Sequence, residues 1–166
     1  MEMDDNEKAL AAIKALAEEH PYDLNYRTLY ANSLMTNDKM DEAFSTLEKI
    51  IAEEPHNVKA QQSLRNYYIR IQDTEAVDSI TRCILINKNT EINDKVYLLR
   101  QLIAENEQEG GDSTQVLNIF REILQQPDPD ADIAELRAAY MDLKKMPRDS
   151  IAAALELVMQ LDPNTT

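Results

Sequence analysis

Glycine is almost missing from this chain: only Gly110 and Gly111 occur in 166 residues. Tight hairpins draw on glycine for backbone angles that other residues avoid, so a sheet built on short turns is disfavoured. Cys83 is the one cysteine, which excludes an internal disulfide and with it a disulfide-stapled fold. No apolar run approaches the roughly 20 residues of a membrane span. The opening residues, from Met1 to Glu7, lack the basic and apolar regions of a secretory leader. Positive charge is also scarce. Lys and Arg number 17 against 31 Asp and Glu, for a formal net charge of −14. A chain of that sign repels phosphate backbones and anionic surfaces. Neither nucleic-acid binding nor membrane insertion is expected, while a basic or neutral protein partner is permitted. The default compartment is the cytoplasm, with the bacterial envelope open if a leader lies outside this segment.

What is abundant is Ala, Leu, Glu, Lys and Gln, a composition that favours helix. One spaced pattern occurs twice, position for position: Ala9, Ile13, Leu16 then Pro21, and Ala43, Leu47, Ile50 then Pro55. A third version, Ile151, Leu155, Val158 then Pro163, closes the chain. Self-similarity at such a period signals stacked helical units. Apolar stripes at helical spacing predict helices over 4–19, 23–36, 40–53, 57–71, 74–87, 92–106, 113–126, 131–145 and 148–161. The predicted core stripes include Ala9, Ile13, Leu16 and Ala17 in the first helix and Val96, Leu99, Leu102 and Ile103 in the sixth. Val116, Phe120 and Ile123 serve the seventh, and Leu136, Ala139, Tyr140 and Leu143 the eighth. Asn89 stands where the next proline of the period would fall. The distance from there to Pro129 implies an insertion of about six residues, placed most simply in the turn around 108–112.

These residues resemble the tetratricopeptide repeat, a 34-residue helix-turn-helix unit. Residues 24–57 fit best, with Tyr30, Ala31, Leu34, Ala43, Leu47, Ile50 and Pro55 at the family's apolar, small and proline positions. The ending Leu161-Asp162-Pro163-Asn164 also resembles the family's repeat end. Arg27 departs from it, standing where a large aromatic is usual, as do Arg65 and Thr81 at two further packing positions. The resemblance implies an all-α, right-handed superhelical solenoid of antiparallel helix pairs, about four and a half repeats in a single domain 1–166. Its units are a half repeat at 4–23, then 24–57, 58–91, 92–130 with the insertion, and 131–164. The small Ala31 and Ala43 are expected where two helices cross closely. In this register the first helix matches only the second half of a unit. The chain is therefore expected to be either a segment of a longer repeat protein or one that begins on a natural end-cap helix at 4–19. It is expected to end without a polar capping helix, so self-association through uncapped terminal repeats is left open.

Chemistry is hard to find. His20 and Cys83 fall in different units, and Cys83, beside Ile84, is expected to be a partly buried, inert thiol. Asp128, Asp130 and Asp132 alternate like the start of a calcium loop, but Ile133 replaces the required glycine and Ala139 the closing acid. These aspartates are expected to break one helix and cap the next. Asp112 or Ser113 is expected to cap the helix that follows Gly111. No glycine-rich phosphate loop, paired-cysteine zinc pattern or histidine pair is present. Asn164-Thr165-Thr166 satisfies the glycosylation triplet only formally. No cofactor or metal and no enzymatic activity are expected.

In the family that these residues resemble, first helices line a concave groove. The resemblance places Asn25, Thr28, Asn32 and Met35 there, then Lys59, Gln62, Asn66 and Ile69, then Asn93, Val96, Arg100 and Ile103. Asparagine both donates and accepts hydrogen bonds, so a row of amides can hold an extended peptide backbone. A carboxylate clamp of the co-chaperone kind would need lysines, asparagines and an arginine where this chain has Thr28, Asn32, Ser63, Asn93 and Tyr97; only Asn32 matches. The expected function is a non-enzymatic scaffold that binds a protein or peptide. The alternative is a regulatory or targeting segment of a longer enzyme or envelope-assembly protein.

Overall fold

The computed structural model of the chain describes residues 2–108 and 110–163. The Asn164-Thr165-Thr166 triplet and Glu109 of the expected long turn lie outside them. Among the described residues there are nine helices and no strand: α1 (Glu2–Glu19), α2 (Leu24–Thr36), α3 (Met40–Glu53), α4 (Val58–Arg70), α5 (Thr74–Ile86), α6 (Ile92–Gln108), α7 (Ser113–Leu124), α8 (Ala131–Leu143) and α9 (Arg148–Leu161). They form two compact units, Met1–Asn89 with α1–α5 and Thr90–Thr166 with α6–α9. Within each, helices adjacent in sequence pack together.

With glycine nearly absent, the turn inside each pair finds another solution. Asp38, Gln72, Gly110 and Lys145 take positive φ of 57°, 59°, 65° and 52°. The next N–H in each case reaches back five residues to a helix carbonyl: Lys39 to Leu34 at 2.9 Å, Asp73 to Tyr68 at 3.0 Å, Gly111 to Asn106 at 2.8 Å and Met146 to Met141 at 3.1 Å. This left-handed stop satisfies carbonyls that a helix end leaves bare. Three of the four turns achieve it without glycine, at a conformational cost of about 1 kcal/mol each. The proline ends share another bond. His20, Glu54 and Asp162, each just before a proline, donate their N–H to Leu16, Ile50 and Val158 at 3.1, 2.8 and 2.8 Å. The repeated sequence pattern therefore marks a repeated backbone end.

The core of the first unit gathers Leu10, Ala31, Leu34, Met35, Ala43, Leu47, Leu64 and Tyr67. Phe44 stacks on Tyr67 with centroids 5.0 Å apart. Ala31 and Ala43 are fully buried, as expected where α2 and α3 pack. Leu47 and Ile50 are fully buried too, each contributing about 2 kcal/mol of apolar transfer. In the second unit Ala138, Met141 and Ala154 pack with Leu117, Met146 and Ile151. Val116, Phe120 and Ile123 are buried as the spacing predicts.

Several expectations fail. Among the described side chains of α1, Leu10 and Ala17 are buried, while Ala9 and Leu16 are exposed. In α9 Ala154 and Val158 are buried and Leu155 is 47% exposed. The same spacing that is wholly buried in α3 is only partly covered there, because α3 packs against both α2 and α4 whereas α1 and α9 each pack against one helix. The α8 stripe is shifted. Ile133, Ala134, Ala138, Tyr140 and Met141 are buried, and Ala139 and Leu143 are exposed. In α6 the buried residues are Lys95, Leu98 and Leu99. Cys83 is exposed, contrary to expectation, since the inward side of α5 is Thr81, Ile84 and Leu85 and residue 83 lies about 100° from 84 around the helix. The insertion is mostly helix rather than turn: α6 has 17 residues where α2 and α4 have 13.

Candidate functional site

The helices α2 and α4 present matching outward stripes. On α2 these are Asn25, Leu29, Asn32 and Thr36; on α4, Lys59, Gln62, Asn66 and Arg70. The spacing i, i+3 or i+4, i+7, i+11 keeps each set on one face. Asp23 starts α2 by accepting the Asn25 N–H at 2.8 Å, and that bond holds its carboxyl below the usual carboxylate range. Asn57 starts α4 by accepting the Ala60 N–H at 3.0 Å. The two caps stand one repeat period apart, so equivalent positions face alike.

Two bonds tie the stripes together. Lys59 Nζ donates to Asn25 Oδ1 at 2.8 Å across 34 residues. At the other end an Arg70 guanidinium N–H donates to the Met35 carbonyl. Asn25, Lys59, Asn66 and Arg70 are exposed, and Asn32 and Gln62 half-buried. Leu29 and Ile69 each keep 46% of their surface exposed beside these amides. Two residues expected in the groove face inward instead. Thr28 is buried, and its hydroxyl donates to the Leu24 carbonyl at 2.7 Å, the usual recourse of a threonine inside a helix. Met35 belongs to the core. In the second unit Asn93 and Arg100 are exposed on α6, and Val96 and Ile103 half-buried.

Behind the stripes the departures from the repeat pattern compensate one another. Arg27 holds Glu53 through two bonds of 2.6 and 2.8 Å; the bonding raises the Arg27 pKa and lowers that of Glu53. At the equivalent place one period on, Gln61 accepts from Asn87 Nδ2 at 2.9 Å and donates to the Pro55 carbonyl at 2.9 Å. Both pairs span 26 residues. A polar clasp thus stands where the resembling family uses an aromatic. Arg65 and Thr81, the other two departures, bond to each other at 2.8 Å.

A scan against protein-family models finds no match to this chain, and a search of curated proteins finds no similar one.

Among the described residues no group of three or more His, Cys, Asp and Glu is placed to hold a metal ion. Asp130 is occupied in capping α8, accepting from Asp132 N at 2.9 Å and Ile133 N at 3.3 Å, and Asp112 caps α7 through the Thr114 N–H at 2.9 Å. His20 stacks on Tyr26 with centroids 5.2 Å apart. No helix among the described residues is long and apolar enough to cross a membrane. A shallow depression of about 420 Å³ adjoins the start of the α2 stripe, lined by Tyr22, Asp23, Leu24, Asn25, Glu54 and Asn57. Its carboxylates serve their own turns: Asp23 caps α2, and Glu54 accepts from Asn57 Nδ2 at 3.1 Å. Sequence reasoning missed Leu29 and Arg70 as members of the exposed stripes. The helical spacing from Asn25 and Lys59 was the signal that could have found them.

Proposed function

We propose that this protein is a non-enzymatic interaction module of tetratricopeptide-like units arranged as a right-handed solenoid. It holds an extended segment of a partner protein along the face formed by α2 and α4. The observation that carries the reading is the alignment of those helices. Asn25 meets Lys59 at 2.8 Å across one 34-residue period, which sets Asn32 and Asn66 at equivalent points of neighbouring helices. Such amides give a peptide backbone both donors and acceptors, and the exposed Leu29 and Ile69 offer apolar surface for its side chains.

The test uses the full chain as bait in a pull-down followed by mass spectrometry. The partner so identified is then titrated against Asn32→Ala and Asn66→Ala. Each change should weaken binding by about 1 kcal/mol, while Glu48→Ala on α3 should leave it unchanged. Equal affinity for all three variants, with helicity intact, would remove the site from this face.

A further inference from the structure

The distribution of charge points to the chemistry of the partner. The chain is strongly acidic, yet α2 and α4 contain no Asp or Glu at all. By contrast α3 carries Asp41, Glu42, Glu48 and Glu53, and α5 carries Glu75 and Asp78. Helix propensity does not explain this, since glutamate is a good helix former. The cations of α4 are also held in an unusual way. Lys59 is bonded to the Asn25 amide oxygen, Arg65 to the Thr81 hydroxyl and Arg70 to the Met35 carbonyl. Each acceptor is neutral, so all three bonds position a cation without cancelling its charge. Arg27 on α2, in contrast, is neutralised by Glu53.

Of these cations Lys59 and Arg70 are exposed and share the outward stripe, eleven residues apart. At about 1.5 Å per residue they stand about 16 Å apart along the helix, with Gln62 and Asn66 between them. An extended chain covers that distance in about five residues. We propose, resting on the peptide-binding reading above, that the partner segment is acidic, with two carboxylates about five residues apart that meet Lys59 and Arg70 while its backbone bonds the amides between. Asp23 and Glu54, near the Lys59 end, are each engaged in their own turn and would disfavour anionic charge extending past that end. Amides between the cations suit a peptide backbone better than a run of phosphates, and the net negative charge of the chain opposes a polyanion.

The experiment is an NMR titration of the isotope-labelled full chain. The probes are peptides of about ten residues in a Gly-Ser-Ala background, with two Glu separated by about three, five or eight positions. Matching Gln and Lys peptides and a single-stranded oligothymidylate complete the set. The Glu peptides should shift the amide signals of α2 and α4, most strongly at the five-residue separation. Lys59→Gln and Arg70→Gln should each weaken this by about two- to fivefold, Lys59→Arg should retain most of it, and added salt should erode it. If Gln peptides shift the same signals equally, or the oligonucleotide binds there more tightly than the Glu peptides, the acidic partner is wrong while the α2–α4 face survives as a site. If no probe of any charge shifts those signals, in wild type whose spectrum shows the fold intact, the face itself is wrong.

Discussion

The two units use one backbone device and different side-chain devices. In the first, α2 and α4 begin one period apart, as do α3 and α5, and the Arg27–Glu53 and Gln61–Asn87 clasps keep the same 26-residue offset. In the second, α6 is longer by about a turn. There Tyr140 is the focus: its hydroxyl accepts from Asn106 at 3.2 Å and donates to Glu107 at 3.2 Å, while Lys144 holds Glu107 at 2.9 Å. Burial pushes the Tyr140 phenol up, and the Lys144 bond pulls Glu107 down. The left-handed turn is nevertheless common to both. What recurs in both units is thus the backbone stop, and the side-chain clasps vary around it.

The sharpest way to break the first unit is to crowd its closest packing. Ala43→Leu or Ala31→Leu should destabilise it by about 1–3 kcal/mol, seen as a lower denaturant midpoint; an unchanged midpoint for both would mean that α2 and α3 have room to spare. The two clasps should then separate by burial. Asn87 is 5% exposed and bonds both Gln61 and the His56 carbonyl, so Asn87→Ala should cost about 1–3 kcal/mol. Arg27→Gln breaks a partly exposed ion pair and should cost less, about 0–1 kcal/mol. The reverse order would show that offset rather than burial sets the strength of a clasp.

The shared turn offers a test with both signs. Gln72→Gly should raise stability by about 1 kcal/mol, because glycine reaches φ of 59° without strain. Gly110→Ala should lower it by about as much; an added Cβ there would meet no atom within 4 Å, so the whole effect would be conformational. The smallest effect is electrostatic. Glu53 and Glu107 both titrate below their ordinary value of 4.5. Their contributions are therefore present above that pH and fade as pH falls through the lower folded values. Glu53→Gln and Glu107→Gln should flatten the acid side of the stability profile, each losing nothing further below the folded-state titration. A profile unaltered by either change would mean that the pairs are solvent-screened to no net worth.

The sequence made α3 and α7 easy to read. Ala43, Leu47 and Ile50 in α3, and Val116, Phe120 and Ile123 in α7, are buried as their spacing predicts. Spacing identifies an apolar stripe, but coverage depends on neighbours, which is why Ala9, Leu16 and Leu155 are exposed. Lys95 was missed for a related reason. It is 4% exposed, and its charge removed it from any core prediction, although burial pulls its pKa down. At the site, Asn25 and Lys59, which share a repeat position, meet across one period, while Thr28 is buried with its hydroxyl spent on its own helix. The absence of acids from α2 and α4 was legible from the start, but it gained meaning only once the cations were seen to rest on neutral oxygens.

The short reach of the side-chain bonds has a kinetic consequence. The clasps and cross-helix bonds described here join residues no more than 37 apart in the chain. Little loop closure must precede each of them, so the barrier to folding should be low, with relaxation in the microsecond-to-millisecond range typical of helical chains with local contacts.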